Sequence, residues 1–216
     1  MMMDVTIPSR PPPSAHNNNN NNKTTESANR KARAATLSPD PHDERDPMAK
    51  LQARVFELAN RFRPNASAAL PPLRPFGQEP FNVIEYSRMG DEYKLHCDTH
   101  CDGTSLIPHG RVATVVMYCA EPLRGGATAF PGIDLSVQGR AGQALLFWYA
   151  HGDPATAPLD ASSWRAGGVT DTGFTLHTGC PVLEGTKLIA TQWMRAGVTE
   201  EDPWSRYSSV GVVLTK

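Results

Sequence analysis

Tyr93-Lys94-Leu95-His96-Cys97-Asp98 reads as a strand that carries a metal-binding pair. Successive side chains of a strand leave opposite faces, so His96 and Asp98, two apart, leave the same one. A second histidine from a distant strand would complete two imidazoles and one carboxylate. His177, which opens the run His177-Thr178-Gly179-Cys180-Pro181, is the candidate. Such a set binds Fe(II) and leaves neighbouring positions open for other ligands. A His-x-Asp triplet alone is common, so its weight depends on what surrounds it.

Outward from this stretch the chain has strand character. The expected strands are Phe81 to Arg88, Glu92 to Asp98, Arg111 to Ala120, Thr128 to Phe130, Gln143 to Ala150, His177 to Leu183 and Thr186 to Arg195. Short, regularly spaced strands with Gly and Pro between them suggest a barrel or sandwich. Arg111 to Ala120 is apolar on both faces, as expected of a strand covered on each side. Before the strands, Asp46-Pro47 is a helix-start signal. Leu51, Val55, Leu58, Ala59 and Phe62 follow at helical spacing, and Pro64 ends the pattern. Residues 1 to about 46 contain Pro11-Pro12-Pro13 and the run Asn17 to Asn22, with few apolar residues to bury. They are expected to be a disordered tail.

The chain has 216 residues, a formal net charge of −1 and four cysteines. That length holds one domain with a core. The charge gives no argument for nucleic acid or an anionic membrane, and the cysteines are too few for a disulfide scaffold. No apolar run reaches membrane-spanning length. The start lacks the regions of a signal peptide, so no address points away from the cytosol.

On the final strand Lys187, Ile189, Thr191, Trp193 and Arg195 share one face. A lysine turned inward there would need an anion, and a bound dicarboxylate would supply it. Alternatively Lys187 follows the Glu184-Gly185 turn and points to water. Tyr86 could give a phenol hydrogen bond to the same carboxylate, or be an ordinary sheet aromatic. A rival use of the segment is a zinc site with Cys97 and Cys101 as one ligand pair. No second close pair follows, and Cys97 alternates away from the face bearing His96 and Asp98.

At these residues the chain resembles the prolyl 4-hydroxylase group of Fe(II)- and 2-oxoglutarate-dependent dioxygenases. The resemblance runs from about Asp46 to Arg195. It rests on Tyr86-Ser-Arg-Met-Gly-Asp-Glu-Tyr-Lys-Leu-His96-Cys-Asp98, on Arg111-Val-Ala-Thr-Val-Val-Met-Tyr118 and on Gly125-Gly-Ala-Thr-Ala-Phe-Pro131. Gly142-Gln-Ala-Leu-Leu-Phe-Trp148, His177-Thr-Gly-Cys-Pro-Val-Leu-Glu-Gly-Thr-Lys187 and Ala190-Thr-Gln-Trp193 complete it. It implies a mainly β fold with a flanking helix, the double-stranded β-helix or jelly-roll. It implies His96, Asp98 and His177 on iron, and Lys187 on the distal carboxylate of 2-oxoglutarate. Tyr86 and Thr114 would assist that carboxylate, and Trp193 would line the site. The implied reaction hydroxylates a peptidyl proline while 2-oxoglutarate becomes succinate and CO₂, with ascorbate keeping the iron reduced. The implied partner is a proline-containing peptide or protein, with no nucleic acid and no membrane segment. Eukaryotic relatives are commonly in the endoplasmic reticulum.

The resulting layout is a tail over 1–46, a dioxygenase domain over 47–196 and a C-terminal extension over 197–216. Several positions depart from the family pattern. One extra residue separates Tyr86 from His96, Ala127 stands where Glu is usual, and Leu188 replaces a Trp. The loop Thr99 to Gly110 is short, Asp160 to Phe174 reads as an insertion, and elements before the first helix are largely missing. These changes touch the peptide-binding rim more than the metal centre. The same chemistry on another side chain or a small molecule stays open, as does an inactive jelly-roll binding module.

Overall fold

A computed structural model describes residues 2–3, 30–64, 70–152 and 168–215. In chain order the elements are β1 (Met2–Met3), β2 (Arg33–Leu37), α1 (Pro47–Arg61), β3 (Phe81–Tyr86), β4 (Tyr93–His96), β5 (Arg111–Ala120), β6 (Arg124–Gly125), β7 (Thr128–Phe130), β8 (Leu135–Val137), β9 (Ala144–Trp148), β10 (Ala150–Gly152), β11 (Gly168–Thr170), β12 (His177–Gly179), β13 (Val182–Glu184) and β14 (Lys187–Arg195). A six-stranded sheet runs β1-β9-β5-β14-β3-β2, and a four-stranded sheet runs β4-β12-β7-β8. β10 pairs with β11, and β13 with β6. The result is a mainly β jelly-roll with one flanking helix.

Strand alternation divides the core in two. Val55, Phe56 and Ala59 of α1 pack with Ala113, Val115 and Met117 of β5 and with Ala190 and Met194 of β14. Between the sheets lie Ile84, Tyr86, Val116, Tyr118, Phe130, Leu145, Val182 and Ile189. β5 therefore sends apolar side chains both ways, as its sequence predicts. The helix begins as expected: the Asp46 carboxylate accepts from the Met48 N–H at 2.8 Å, with Pro47 in the first turn. A buried amide pair, Gln52 Nε2 to Gln192 Oε1 at 3.0 Å, fixes the helix on the sheet. Phe56, outside the predicted apolar pattern, is buried in this cluster. Truncating it should cost about 3–5 kcal/mol.

The expectation of a disordered tail through residue 46 fails for its C-terminal part. β2 adds to the sheet edge, with Ala34 opposite Ile84 and Leu37 opposite Phe81. Ala32 and Ala34 pack against the inner cluster, and Lys31 N–H donates to the Glu92 carbonyl at 3.0 Å. Composition cannot register this strand, because ladder bonds to β3 stabilise it more than its own apolar content does. Met2 and Met3 also pair, with Leu145 and Ala144. Residues 4–29 lie outside the described residues.

Other differences are smaller. The expected strand His177 to Leu183 is two strands, broken where Cys180-Pro181 interrupts the ladder. Of the segment read as an insertion, Asp160 to Phe174, residues 160–167 lie outside the described residues, and β11 within it pairs with β10. Residues 197–215 fold back on the domain: Ser208 and Ser209 give their carbonyls to Arg195 and to the Arg111 N–H. No described helix is long and apolar enough to cross a membrane.

If β2 is part of the folded domain, its removal must destabilise it. A chain beginning at Glu44 should melt about 2–8 °C below one beginning at Asn29, the shift expected for 1–2 kcal/mol in a domain of this size. Equal melting temperatures by differential scanning calorimetry would show that β2 adds nothing.

Candidate active site

Antiparallel pairing of β4 with β12 sets His96 directly opposite His177. Their ring centroids are 4.3 Å apart. Asp98, two residues beyond His96, turns to the same side, and one ligand atom from each of the three lies within 4.8 Å of the others. His96 Nε2 is 3.6 Å from Asp98 Oδ1, and His177 Nε2 is 4.0 Å from Asp98 Oδ2. These separations are too long for hydrogen bonds and suit ligands arranged around an ion. His96 Nε2 is also buried without a hydrogen-bond partner. Each Nδ1 lies on a backbone carbonyl, His96 on Lys94 at 2.7 Å and His177 on Thr175 at 2.8 Å. A carbonyl only accepts, so the proton sits on Nδ1 and the Nε2 lone pair faces the cluster. The three predicted ligands fit a divalent metal.

Asp98 is buried, and Thr114 on the facing sheet donates to its Oδ2 at 2.6 Å. Burial opposes its ionisation, but the adjacent His96 and His177 rings and the Thr114 hydroxyl hold its carboxyl well below the usual range. Burial pushes the His177 pKa down against the pull of the Asp98 charge, so this ring is neutral and ready to ligate.

Lys187 opens β14 opposite Tyr86 of β3. It points inward and is only 2% exposed. Its ammonium lies over the Tyr86 and Tyr118 rings, 5.4 and 5.8 Å from their centroids. No described carboxylate pairs with it, and burial lowers its pKa to about 8. Lys187, Tyr86, His96, Asp98, His177 and Trp193 line one cleft between the sheets. The cleft encloses about 420 Å³, part of it open to solvent.

The structure gives partners to several residues read from the sequence. The Thr114 hydroxyl, in the cleft lining, donates to Asp98, a partner the sequence reading did not name. Arg195 does not reach the cleft that Lys187 lines. Its guanidinium instead meets Glu79 Oε1 at 2.6 Å. Cys97 and Cys101 form a disulfide with a Cα–Cα distance of 6.1 Å, which removes them as a zinc pair. Among residues the sequence did not single out, Thr128 lines the cleft and accepts the Tyr118 hydroxyl at 2.9 Å. Both lie inside motifs quoted above, so the signal was present without a role attached. At Gly126 (φ +71°) an added Cβ would lie 2.7 Å from Pro122 Cγ, and 3.4 Å from the Lys187 Cδ that runs beside it. Glu79 is a further residue that nothing in its local sequence marked. It binds Arg111 through both oxygens, at 2.7 and 2.6 Å. Arg111 in turn donates to the Asp98 carbonyl at 3.1 Å and stacks 3.8 Å from the Trp193 ring centroid.

No family model matches the chain. It is 31% identical over 138 residues to prolyl 4-hydroxylase 2 of Arabidopsis thaliana, covering 54% of this chain and 41% of that protein. It is 35% identical over 127 residues to the human prolyl 4-hydroxylase subunit alpha-3, covering 56% of this chain and 20% of that one. The structure superposes on a viral collagen prolyl hydroxylase from Paramecium bursaria Chlorella virus-1, solved as a 2OG complex. The TM-score is 0.57 at 25% identity, over 78% of this chain and 80% of that one. The chain is thus similar to prolyl 4-hydroxylases in sequence and to a viral prolyl hydroxylase in fold. The chain spans about two-fifths of the length of the plant relatives it matches.

Titrating the domain with Co(II) tests the cluster. One ion per chain should bind, His177→Ala should abolish binding, and Thr114→Val should weaken it about tenfold by releasing Asp98 Oδ2. Equal Co(II) affinity in all three proteins would separate these residues from any metal.

Proposed function

We propose that this domain is an Fe(II)- and 2-oxoglutarate-dependent dioxygenase that hydroxylates a peptidyl proline. The observation that carries the reading is one cleft holding both the His96, Asp98, His177 cluster and the buried Lys187 ammonium, which no described carboxylate pairs. The likeness to proteins named prolyl 4-hydroxylases supports the substrate class.

His96, Asp98 and His177 would hold the iron. Bound there, Fe(II) would supply the O₂ chemistry that couples decarboxylation of 2-oxoglutarate, to succinate and CO₂, with insertion of one oxygen atom into a C–H bond of proline. The chain's own work is binding and exclusion. Two neutral imidazoles and one carboxylate leave a site with one net negative charge, suited to a divalent cation. Lys187 would pair with the distal carboxylate of 2-oxoglutarate and fix its orientation toward the cluster. Tyr86 and Thr128 offer hydroxyls near that carboxylate, and Ile84, Val116 and Ile189 keep bulk water from the cleft. Trp193, braced by Arg111, forms the wall beyond Asp98. Ascorbate would serve as the external reductant that returns oxidised iron to Fe(II).

The test is succinate release by the Fe(II)-loaded protein with ascorbate, with and without proline-rich peptides. The expected result is peptide-stimulated succinate and a gain of one oxygen atom on a prolyl residue. Succinate release with no peptide oxidised would remove the proline assignment and keep the oxygenase. No turnover of 2-oxoglutarate under any condition would remove both.

Lys187 adds a pH signature. Its ammonium is present below about pH 8 and is lost as pH rises through that value. The KM for 2-oxoglutarate should therefore rise about tenfold per pH unit above 8, until the pKa of the complex is reached. Lys187→Ala should lose this dependence. It should also raise KM at least about a hundredfold at pH 7, from the roughly 3–5 kcal/mol cost of a broken buried ion pair.

A further inference from the structure

The geometry points to Asp171 as a positioning residue that sets the orientation of the His177 ring through the Thr175 carbonyl; this rests on the reading of His177 as a metal ligand. Asp171 follows β11 and is 2% exposed, and no described Lys or Arg pairs with it. Its carboxylate is met by neutral donors from the next four residues. Oδ1 accepts the Gly173 N–H and the Thr175 N–H, each at 2.9 Å, and Oδ2 accepts the Thr175 hydroxyl. Thr175 is therefore held at both its amide and its side chain. Its remaining polar group, the carbonyl, accepts from His177 Nδ1 at 2.8 Å. That bond selects the tautomer with the lone pair on Nε2.

Asp171 also joins the two segments that carry the ligands. Its own carbonyl accepts the Gly103 N–H at 3.0 Å, in the loop that leaves Asp98. Its N–H donates to the Tyr149 carbonyl at 3.0 Å, and the Tyr149 hydroxyl lies 3.4 Å from Thr114 Oγ1, the donor to Asp98. A carboxylate buried without a cation is a costly way to close a turn, since desolvation is offset only by neutral donors. A role confined to stability would be served as well by a neutral turn residue. A role in fixing a ligand ring gains from an acceptor-only group, which cannot rotate into a donor and release Thr175.

The experiment compares Asp171→Ala, Asp171→Asn and Thr175→Ala with the full chain. Two quantities are read: the imidazole tautomer of His177 in metal-free protein, by long-range ¹H–¹⁵N correlation above the imidazole pKa, and the anaerobic Fe(II) dissociation constant. Asp46→Ala, which removes the helix cap, controls for a general loss of stability. The wild-type His177 should be the Nδ1–H form. Asp171→Ala should mix the tautomers and weaken Fe(II) binding about 10- to 100-fold, the effect usual for an outer partner of a ligating histidine. Asp171→Asn should fall between, because its amide oxygen keeps one acceptor. Asp46→Ala should lower the melting temperature and leave both readouts alone. An unchanged tautomer and Fe(II) affinity in the Asp171 variants would overturn the assignment, as would an equal loss in Asp46→Ala. If Asp171→Ala does not fold, Asp171→Asn and Thr175→Ala decide. If wild-type protein binds no Fe(II), the metal reading fails, and the tautomer alone decides the role of Asp171.

Discussion

An ammonium buried without a counter-ion costs several kcal/mol, and Lys187 sets that constraint at the centre of this fold. The faces of Tyr86 and Tyr118 recover part of the cost, about 2 kcal/mol or so for a desolvated cation–π contact. The remaining desolvation acts on the proton, and burial brings the Lys187 pKa down to about 8. β14 nevertheless keeps the lysine inward. β3 and β5 pair with it on both sides, and a one-residue slip would turn Ile189 and Thr191 out of the cleft together. The sheet thus holds a cation where only an incoming anion can satisfy it.

The opposite charge is arranged with equal care. Asp98 carries a negative charge in a buried setting, beside the neutral His177 ring. Its first support comes from Thr114 across the cleft, so the cluster spans the two sheets and depends on their spacing. Behind it, Glu79 holds Arg111 and Arg195, and Arg111 braces both the Asp98 carbonyl and the Trp193 ring. Cation site and anion site face one cleft and remain unpaired with each other. That separation is what a chelating dicarboxylate and a divalent ion together would bridge.

Much of this was legible from local pattern. The Asp46-Pro47 start fixed the helix, alternation fixed the two faces of β5, and His96, Asp98, His177 and Lys187 all reach the cleft their spacing implied. What the sequence concealed is non-local. Arg195 does not line the cleft because Glu79, distant in sequence, engages its guanidinium. The Thr114 bond to Asp98 depends on which sheet lies opposite. β2 was lost in a polar tail because its stabilisation comes from β3. Asp171 sits unmarked inside the segment read as an insertion, and only the carbonyl it fixes gives it a role.

The central claim is that metal cluster and lysine form one site for one keto acid. Anaerobic absorption titration of the Fe(II)-loaded domain with 2-oxoglutarate tests it directly. The account predicts a visible charge-transfer band that saturates at one equivalent per chain, and that is absent from Lys187→Ala at the same concentrations while its iron content is unchanged. A spectrum that does not respond to 2-oxoglutarate, or a band that forms equally well without the Lys187 ammonium, would contradict it.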